Sequence, residues 1–303
     1  MNDLSIKVMD VMGGYLRISR KVHEHGLVAL VDMMPRLVQV RKGDIPSTGD
    51  SAVVQAARVS YGGGEKTPEE DEALIRYLMR NQHTTPFEMV EFKFHVSLPI
   101  FIARQWIRHR TASVNEVSAR YTELPDNYYL PGEWRQQGKG NKQGGEEPME
   151  YTPRTYDESC EPCVVEDLSI HEYHARLEAG MSRELARTCL PVSIYTQWYW
   201  KIDLHNLLRF LSLRADSHAQ KEIRDYADAI IDIIEPLVPV TMKAWRDYVV
   251  NSVKLSALEV AALRAEIAEL RGTPTIKGLS TSNQRENAEW EAKKKTLGLS
   301  PNT

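Results

Sequence analysis

The cleanest alternation of apolar and polar positions runs from Val90 to Leu98. Val90, Phe92, Phe94, Val96 and Leu98 fall on one side and Glu91, Lys93, His95 and Ser97 on the other, which predicts a half-buried strand. Pro99 closes that strand and opens a helix through the apolar run IFIA, on which Arg104 and Arg108 share one face while Ile102, Trp106 and Ile107 turn inward. From Arg110 to Glu116, threonine, serine and asparagine favour a turn over a continued helix, so a helix end followed by a polar loop is predicted. Upstream, residues 1 to 45 hold short apolar pieces such as GLVALVD and read as an extension with one or two strands. Val53, Ala56 and Ala57 mark a helix over 50–59. Thr67 caps another, with Pro68 at its first position, acidic Glu69, Glu70 and Asp71 near its positive end, and Leu74, Ile75, Leu78 and Met79 as its buried stripe.

Downstream, residues 131 to 162 are rich in Gly, Gln, Lys and Glu without any period and read as a long mobile insertion. A helix follows over 163–179 with Leu168, Tyr173 and Leu177 inward, halted by Gly180. Ser182 caps the next, which turns Leu185, Ala186 and Cys189 to the core and stops at Pro191. VSIYTQWYW, from Val192 to Trp200, is β-branched and aromatic and reads as a strand. Asp203 caps a helix over 204–214 with a Leu204, Leu207, Leu208, Leu211 stripe, and Ser217 with Gln220 has the form of a capping box for a long helix to Pro236. Val260, Leu263, Ile267 and Leu270, at three and four spacing over 253–270, read as a short coiled-coil seam or as one buried edge, and the polar tail from Gly272, with its KKK run, is expected to be disordered. The pattern therefore predicts an α+β fold: a central, mostly antiparallel sheet flanked by long helices, with a C-terminal helical extension. The expected division is an N-terminal extension (1–45), a main domain (46–252, with the 131–162 insertion) and a C-terminal helix and tail (253–303).

The 303 residues suffice for one large domain or two small ones. With 38 basic and 42 acidic side chains the formal charge is −4, which disfavours nucleic acid as the main partner while leaving room for a local arginine pocket. No apolar run reaches the length of a membrane span and the first residues do not form a leader, so a soluble, cytoplasmic protein is expected. Three cysteines argue against a disulfide framework. Cys160 and Cys163 form CEPC, but no second CxxC or clustered His pair completes a zinc site; two thiols at a helix start is the plainer reading, and no metal is expected.

The densest polar chemistry lies in RQWIRHRTASVNEVSARY, from Arg104 to Tyr121, with four arginines beside a buried segment. Arg108-His109-Arg110, seven residues, then Ser118, with Asn115, Glu116, Arg120 and Tyr121 in register, resembles the defining motif of the flavin-dependent thymidylate synthases. The resemblance extends through AARVSY (Ala56 to Tyr61), HTTPFE (His83 to Glu88), ARTCLP (Ala186 to Pro191) and LRADSHAQ (Leu213 to Gln220), covering about residues 50 to 250. It implies reductive methylation of deoxyuridine monophosphate (dUMP) to dTMP. The one-carbon unit comes from 5,10-methylenetetrahydrofolate, and the hydride from FAD that NADPH has reduced. A homotetramer with sites shared between subunits is implied as well.

By resemblance Arg214 is the catalytic residue, stabilising charge that develops across N3, C4 and O4 of uracil. The other nucleotide contacts are Gln105, Arg108, Glu116, Val117, Ser118, Ala119, Arg120 and Arg187. The flavin falls to His83, Thr85, Arg108, His109, Arg110, Asn115, Glu116, Asp203, Leu204, His205, Arg209 and His218. Here the chain reads Asp-Leu-His at 203–205 where Asn-Ala-Arg stands elsewhere in the family, and Arg209 stands where Asn or His often occurs. Without the resemblance, Arg214 reads as half of an ion pair with Asp216. Two rival functions compete: a cysteine-dependent methyltransferase using Cys189, and a non-catalytic nucleotide- or RNA-binding module built on the arginine cluster.

Overall fold

The computed structural model describes residues 7–11, 15–35, 48–60, 62, 66–139, 144–158, 161–253, 255–269 and 283–297. Leading strands β1 (Lys7–Val11), β2 (Tyr15–Val22) and β3 (Gly26–Met34) precede helices α1 (Thr48–Val59), α2 (Pro68–Arg80) and α3 (Thr85–Glu88). Then come β4 (Glu91–Pro99), α4 (Ile100–Trp106), β5 (Ser113–Glu116), β6 (Trp134–Gln137), β7 (Gly145–Met149), β8 (Tyr156–Glu158) and β9 (Glu161–Cys163). The rest is α5 (Val165–Glu178), α6 (Arg183–Ala186), a 3-10 turn (Arg187–Cys189), β10 (Tyr195–Asp203), α7 (Leu204–Arg214), α8 (Lys221–Ile234), α9 (Pro239–Trp245), a π turn (Arg246–Val250), α10 (Ala257–Glu269) and α11 (Gln284–Leu297). No helix among the described residues is long and apolar enough to cross a membrane.

The chain divides into two compact units, 1–63 with 84–239 and 64–83 with 240–303. The first holds a six-stranded antiparallel sheet ordered β1-β2-β3-β4-β10-β5, as the α+β reading expects. Residues 1–45, expected to supply one or two strands, supply three, because β2 and β3 pair with each other and β3 with β4. At its centre β4 and β10 run in unbroken register from Tyr195↔Pro99 to Asp203↔Glu91. Phe92, Phe94, Val96 and Leu98 are wholly buried, and Trp198, Trp200 and Ile202 nearly so. The opposite face is polar, carrying the Lys201–Glu91 (2.6 Å) and Lys93–Asp32 (3.6 Å) pairs and a 2.9 Å bond between His95 and Gln197.

Helices α4, α7 and α8 cover the apolar face with Ile102, Trp106, Leu207, Phe210, Leu211, Ile223, Tyr226 and Ile230. Gly26 permits a close approach there, since a Cβ would stand 2.2 Å from both the Val22 carbonyl and the Tyr226 hydroxyl. That hydroxyl donates to the Ser97 carbonyl at 2.9 Å, tying α8 to the sheet.

Several sequence expectations shift. Helix α4 ends at Trp106, leaving Arg108 beyond it and Ile107 47% exposed, because the following residues are drawn into β5 against β10. The expected polar loop thus contains a short edge strand. The insertion carries two hairpins, β6–β7 and β8–β9, whose ladders depend on backbone bonds that composition does not reveal. The aromatic strand starts at Tyr195 rather than Val192. Ser217 does not cap α8, whose first flanking residue is Gln220, and Ser182 makes no side-chain cap at α6, where Leu185 is 57% exposed. Helix α5 does stop at Gly180 (φ 82°), where Gly180 N–H bonds the Leu177 carbonyl and Met181 N–H the Arg176 carbonyl.

In the second unit α2 is capped as expected, with a Thr67/Glu70 capping box and Ile75 and Leu78 buried. The tail predicted to be disordered contains α11. Arg80 bonds Glu289 at 2.5 and 3.0 Å, Arg76 bonds Asp247 at 2.7 Å and Glu286 at 3.4 Å, and Tyr248 donates to Glu286. Its polar sequence carries partners for arginines far upstream rather than a stripe of its own.

Trp106 is the most heavily framed side chain, with the rings of Phe210, Trp200, Trp198 and Tyr226 at 4.7, 5.0, 5.8 and 6.1 Å. Trp106→Ala is expected to lower stability by about 3–5 kcal/mol and Trp106→Phe by clearly less, read from denaturant midpoints. Equal losses for the two would show that ring packing does not set the effect.

Candidate active site

Two short-range connections make the site. Trp106 ends α4 inside the core, so the residues on either side of it, Gln105 and His109, are delivered to the same edge. Asp203 caps α7 by accepting from Asn206 N–H at 2.9 Å, and the helix runs from there to Arg214 at its last position. The two ends meet: Arg214 Nε donates to His109 Nε2 at 3.0 Å and Arg214 Nη2 to the Gln105 carbonyl at 3.1 Å. The ring of His109 also lies edge-on to Phe210 at 4.9 Å.

The electrostatics follow from that packing. Burial, reinforced by the charges of Arg214 and Arg209, pushes the His109 imidazole down to about 4. His109 is therefore neutral near pH 7, with Nε2 unprotonated to accept from Arg214 and the proton on Nδ1. Burial also lowers the Arg214 pKa, from a starting value high enough that the guanidinium stays charged. The ion pair with Asp216 that a lone helix end would suggest does not form. Asp216 accepts instead from His218, from the backbone N–H at 2.8 Å and with Nδ1 at 2.7 Å.

Most of the other expected residues lie on β5, on the turn after it, at the end of α6 and on α7. Glu116 and Asn115 sit on β5, opposite Trp198 and Tyr199, and Glu116 accepts a 2.6 Å bond from the Thr196 hydroxyl. Val117, Ser118 and Ala119 form the turn that follows: Val117 N–H bonds the Gln197 carbonyl, Ser118 Oγ accepts from Arg120 N–H at 3.4 Å, and Ala119 is buried with Leu124, Ile170 and Ile194. Arg120 is exposed, its guanidinium 5.4 Å from the Tyr121 ring centre. Arg187 begins the 3-10 turn after α6. On α7, Leu204 is buried, His205 half-buried and Arg209 exposed.

Thr85 is exposed at the start of α3, and His218 is exposed beyond α7. His83 belongs to the second unit, its ring edge-on to Tyr77 at 5.6 Å. No hydrogen bond or ion pair among the described residues joins Arg120, Arg187 or His218 to the Arg214–His109 pair.

Two contacts were not foreseen from the sequence: Thr196 on Glu116, and Gln220, whose Oε1 accepts from Gln105 Nε2 at 2.5 Å. Gln220 stands inside LRADSHAQ, and its capping-box spacing from Ser217 drew attention away from its side chain.

The donor set has one common property. Arg108, Arg110, Arg120, Arg187, Arg209 and Arg214 form no ion pair with a carboxylate among the described residues, whereas Arg20, Arg76, Arg80, Arg135, Arg176 and Arg183 each do. Such a set can bind anionic phosphate or pyrophosphate groups and place charge beside a developing oxyanion. Cys189, by contrast, hydrogen-bonds the Ala186 and Ser169 carbonyls at 3.3 and 3.5 Å, and no histidine or lysine among the described residues hydrogen-bonds its thiol.

Residues 44–240 match the family described as Thymidylate synthase complementing protein. A flavin-dependent thymidylate synthase from Dictyostelium discoideum is 55% identical over 300 residues, spanning 98% of this chain and 93% of its own. One from Wolbachia pipientis wMel is 46% identical over 276 residues, spanning 89% of each chain. Among solved structures, a UMP/dUMP methylase PolB from Streptomyces cacaoi bound with 5-Br UMP superposes with a TM-score of 0.57 at 32% identity. The match covers 75% of this chain and 97% of that one. The same protein bound with 5-Br dUMP gives 0.58 at 31%, covering 76% and 98%.

The depressed His109 pKa has a definite sign. Between about pH 6.5 and about pH 4 the unfolded chain takes up the proton first, so this residue's contribution to stability falls as pH drops through that window. NMR titration of His109 is expected to give a midpoint near 4, and Arg214→Ala is expected to raise it part of the way towards 6.5. A wild-type midpoint at the ordinary histidine value would contradict the neutral-acceptor arrangement.

Proposed function

Because this chain belongs to the family of flavin-dependent thymidylate synthases, we propose that the Arg214–His109–Gln105 junction is where it methylates dUMP to dTMP. The observation that carries this reading is Arg214 itself: a half-buried guanidinium held by two neutral acceptors and paired with no carboxylate among the described residues. Methylation at C5 of uracil requires negative charge to build across N3, C4 and O4. A cation already oriented in a partly dry setting stabilises that charge without reorganising. The neutral imidazole of His109 fixes the direction of Arg214 without cancelling its charge, which an aspartate in the same place would do. Two of the Arg214 N–H groups are committed to these contacts, and the remainder are available to the base.

In this reading Gln105, Arg108, Arg120 and Arg187 take the phosphate and sugar, with the backbone of Glu116 to Ala119 along the nucleotide. Ser118 binds and does not attack, since its hydroxyl accepts from the Arg120 N–H and no histidine or lysine among the described residues hydrogen-bonds it. The flavin, taken as FAD, fits Arg108, Arg110 and Arg209 as cations for its pyrophosphate, with Thr85, Asn115, Asp203 and His205 as polar contacts. The lack of carboxylate partners for those arginines supports that fit. When bound, the flavin supplies the hydride, and the chain's part is to orient and to hold charge. The one-carbon donor is 5,10-methylenetetrahydrofolate, the reductant NADPH, the assembly a homotetramer with shared sites, and the location the cytoplasm. Cys189 takes no part.

Purified protein is expected to be yellow, with a flavin absorption spectrum. Arg214→Ala should keep that colour and the fold while dTMP formation falls by at least about a hundredfold. A colourless wild-type protein, or an Arg214→Ala variant with full turnover, would overturn the assignment.

A further inference from the structure

The polar face of the sheet is largely engaged with itself. Lys201 is paired with Glu91 and Lys93 with Asp32, His95 bonds Gln197, and the Ser97 hydroxyl donates to the His25 carbonyl at 3.3 Å. At Tyr199, in the middle of β10, that pattern breaks. The ring is 48% exposed, and neither its hydroxyl nor the carboxamide of Asn115, directly opposite on β5, makes a hydrogen bond among the described residues. A single exposed aromatic calls for no explanation, but its row does. Asn115, Tyr199 and His95 lie side by side across three strands, and the His95 ring, tethered by Gln197, stands 5.3 Å from that of Tyr199. A bare ring plane, backed on one side and flanked by a free carboxamide on the other, is shaped for a planar ligand with a polar edge.

Strand parity decides which ligand. Residues directly opposite in a ladder share a face, so Asn115 goes with Tyr199 to the open side, while Glu116 goes with the buried Trp198 to the helix side, where it meets Thr196. Arg214 and His109 stand on that second side as well, at the end of α7 and against Phe210. In the flavin reading of the preceding subsection, the redox ring must lie beside Arg214 and the same cofactor must also meet Asn115. Only a long ligand that passes round β5 satisfies both, and β5 is the edge strand, with no further strand beyond it among the described residues. FAD has that length and carries a second ring, adenine, past its pyrophosphate. Resting on that reading, we propose that Tyr199 and Asn115 form the adenine site: the phenol is the plane on which the base stacks, and the Asn115 carboxamide matches its N6 donor and N7 acceptor. The row is thereby a specificity device, selecting a flavin that carries adenosine over one that ends at the monophosphate.

The test compares FAD with FMN, which has the same redox ring and no adenine. Dissociation constants of both are read by calorimetry on the full-length protein freed of its flavin, so turnover plays no part. Wild type is expected to hold FAD at least about tenfold more tightly than FMN. Tyr199→Ala should weaken FAD about tenfold and leave FMN within about twofold, whereas Tyr199→Phe, which keeps the plane, should match wild type. Equal losses of FAD and FMN in Tyr199→Ala would show that the ring serves the fold or the isoalloxazine instead. That result overturns the proposal, as do unchanged FAD binding in Tyr199→Ala, a Tyr199→Phe variant as weak as Tyr199→Ala, or a wild type that binds the two flavins alike. Should Tyr199→Ala not fold, Asn115→Ala carries the same comparison: a loss confined to FAD supports the adenine site, and an equal loss for FMN, or none for FAD, sinks it. Wild-type protein that binds neither flavin would instead remove the flavin reading itself.

Discussion

The site depends on how the Trp106 indole packs. Its closest ring is Phe210, at 4.7 Å, and these two residues belong to the two helices whose ends must meet. His109 stands three positions after Trp106, and Arg214 four positions, about one helical turn, after Phe210. The aromatic contact therefore sets the spacing of the Arg214–His109 pair from below, while the His109 ring leans on the same Phe210 at 4.9 Å. Trp198 and Trp200 of β10 pin the indole to the sheet, where the unbroken β4–β10 register leaves little freedom to slide. A slip of one residue would turn Trp198 and Trp200 to the polar face and remove that floor. Core packing is thus the origin of the geometry, and the polar contacts at the edge inherit it.

Much of this was legible in the sequence, for reasons particular to each element. The period-two run from Val90 to Leu98 has one physical solution, and Pro99 marks its end as clearly as any residue could. Asp203 before an apolar stripe is equally explicit, as is Thr67 before Pro68 and the acidic Glu69, Glu70 and Asp71. What was not legible lies where nonlocal partners decide. Ser113 to Glu116 became a strand because the edge of β10 was open to pairing, a fact absent from TASVNE itself. Gln220 offered a capping spacing and used its side chain on Gln105 instead, more than a hundred residues away. In the tail, α11 carries no apolar stripe of the usual kind. Glu286 and Glu289 make sense only once Arg76 and Arg80 are known to face them.

The motif around Arg108 to Ser118 identified the chemistry but not the order of contacts within it. Without the resemblance the sequence pairs Arg214 with its neighbour Asp216, because His109, 105 positions away, is brought to it only by the meeting of α4 and α7. The choice falls to His109 because Asp216 is taken by His218 and because burial keeps His109 unprotonated. A protonated His109 would face Arg214 as donor to donor, so the same burial that lowers its pKa also makes the hydrogen bond possible.

That choice is one instance of a wider arrangement. The chain has more acidic than basic side chains, 42 against 38, so leaving a set of arginines without carboxylate partners requires that nearby acids be engaged elsewhere. They are. Asp203 is held by the N–H groups of Asn206 at the start of α7, Asp216 by His218, Glu116 by the Thr196 hydroxyl, and Glu222 by Arg135 and Tyr129. Each of these acids keeps its partner through neutral donors, a histidine, or an arginine that belongs to the hairpin, and none is spent on Arg108, Arg110, Arg209 or Arg214. An incoming anion consequently meets cations that need not first break an ion pair. Burial holds the Arg214 pKa down, a cost that a bound anion would offset. The helix caps and edge contacts that look purely structural are what keep the charge of the site available.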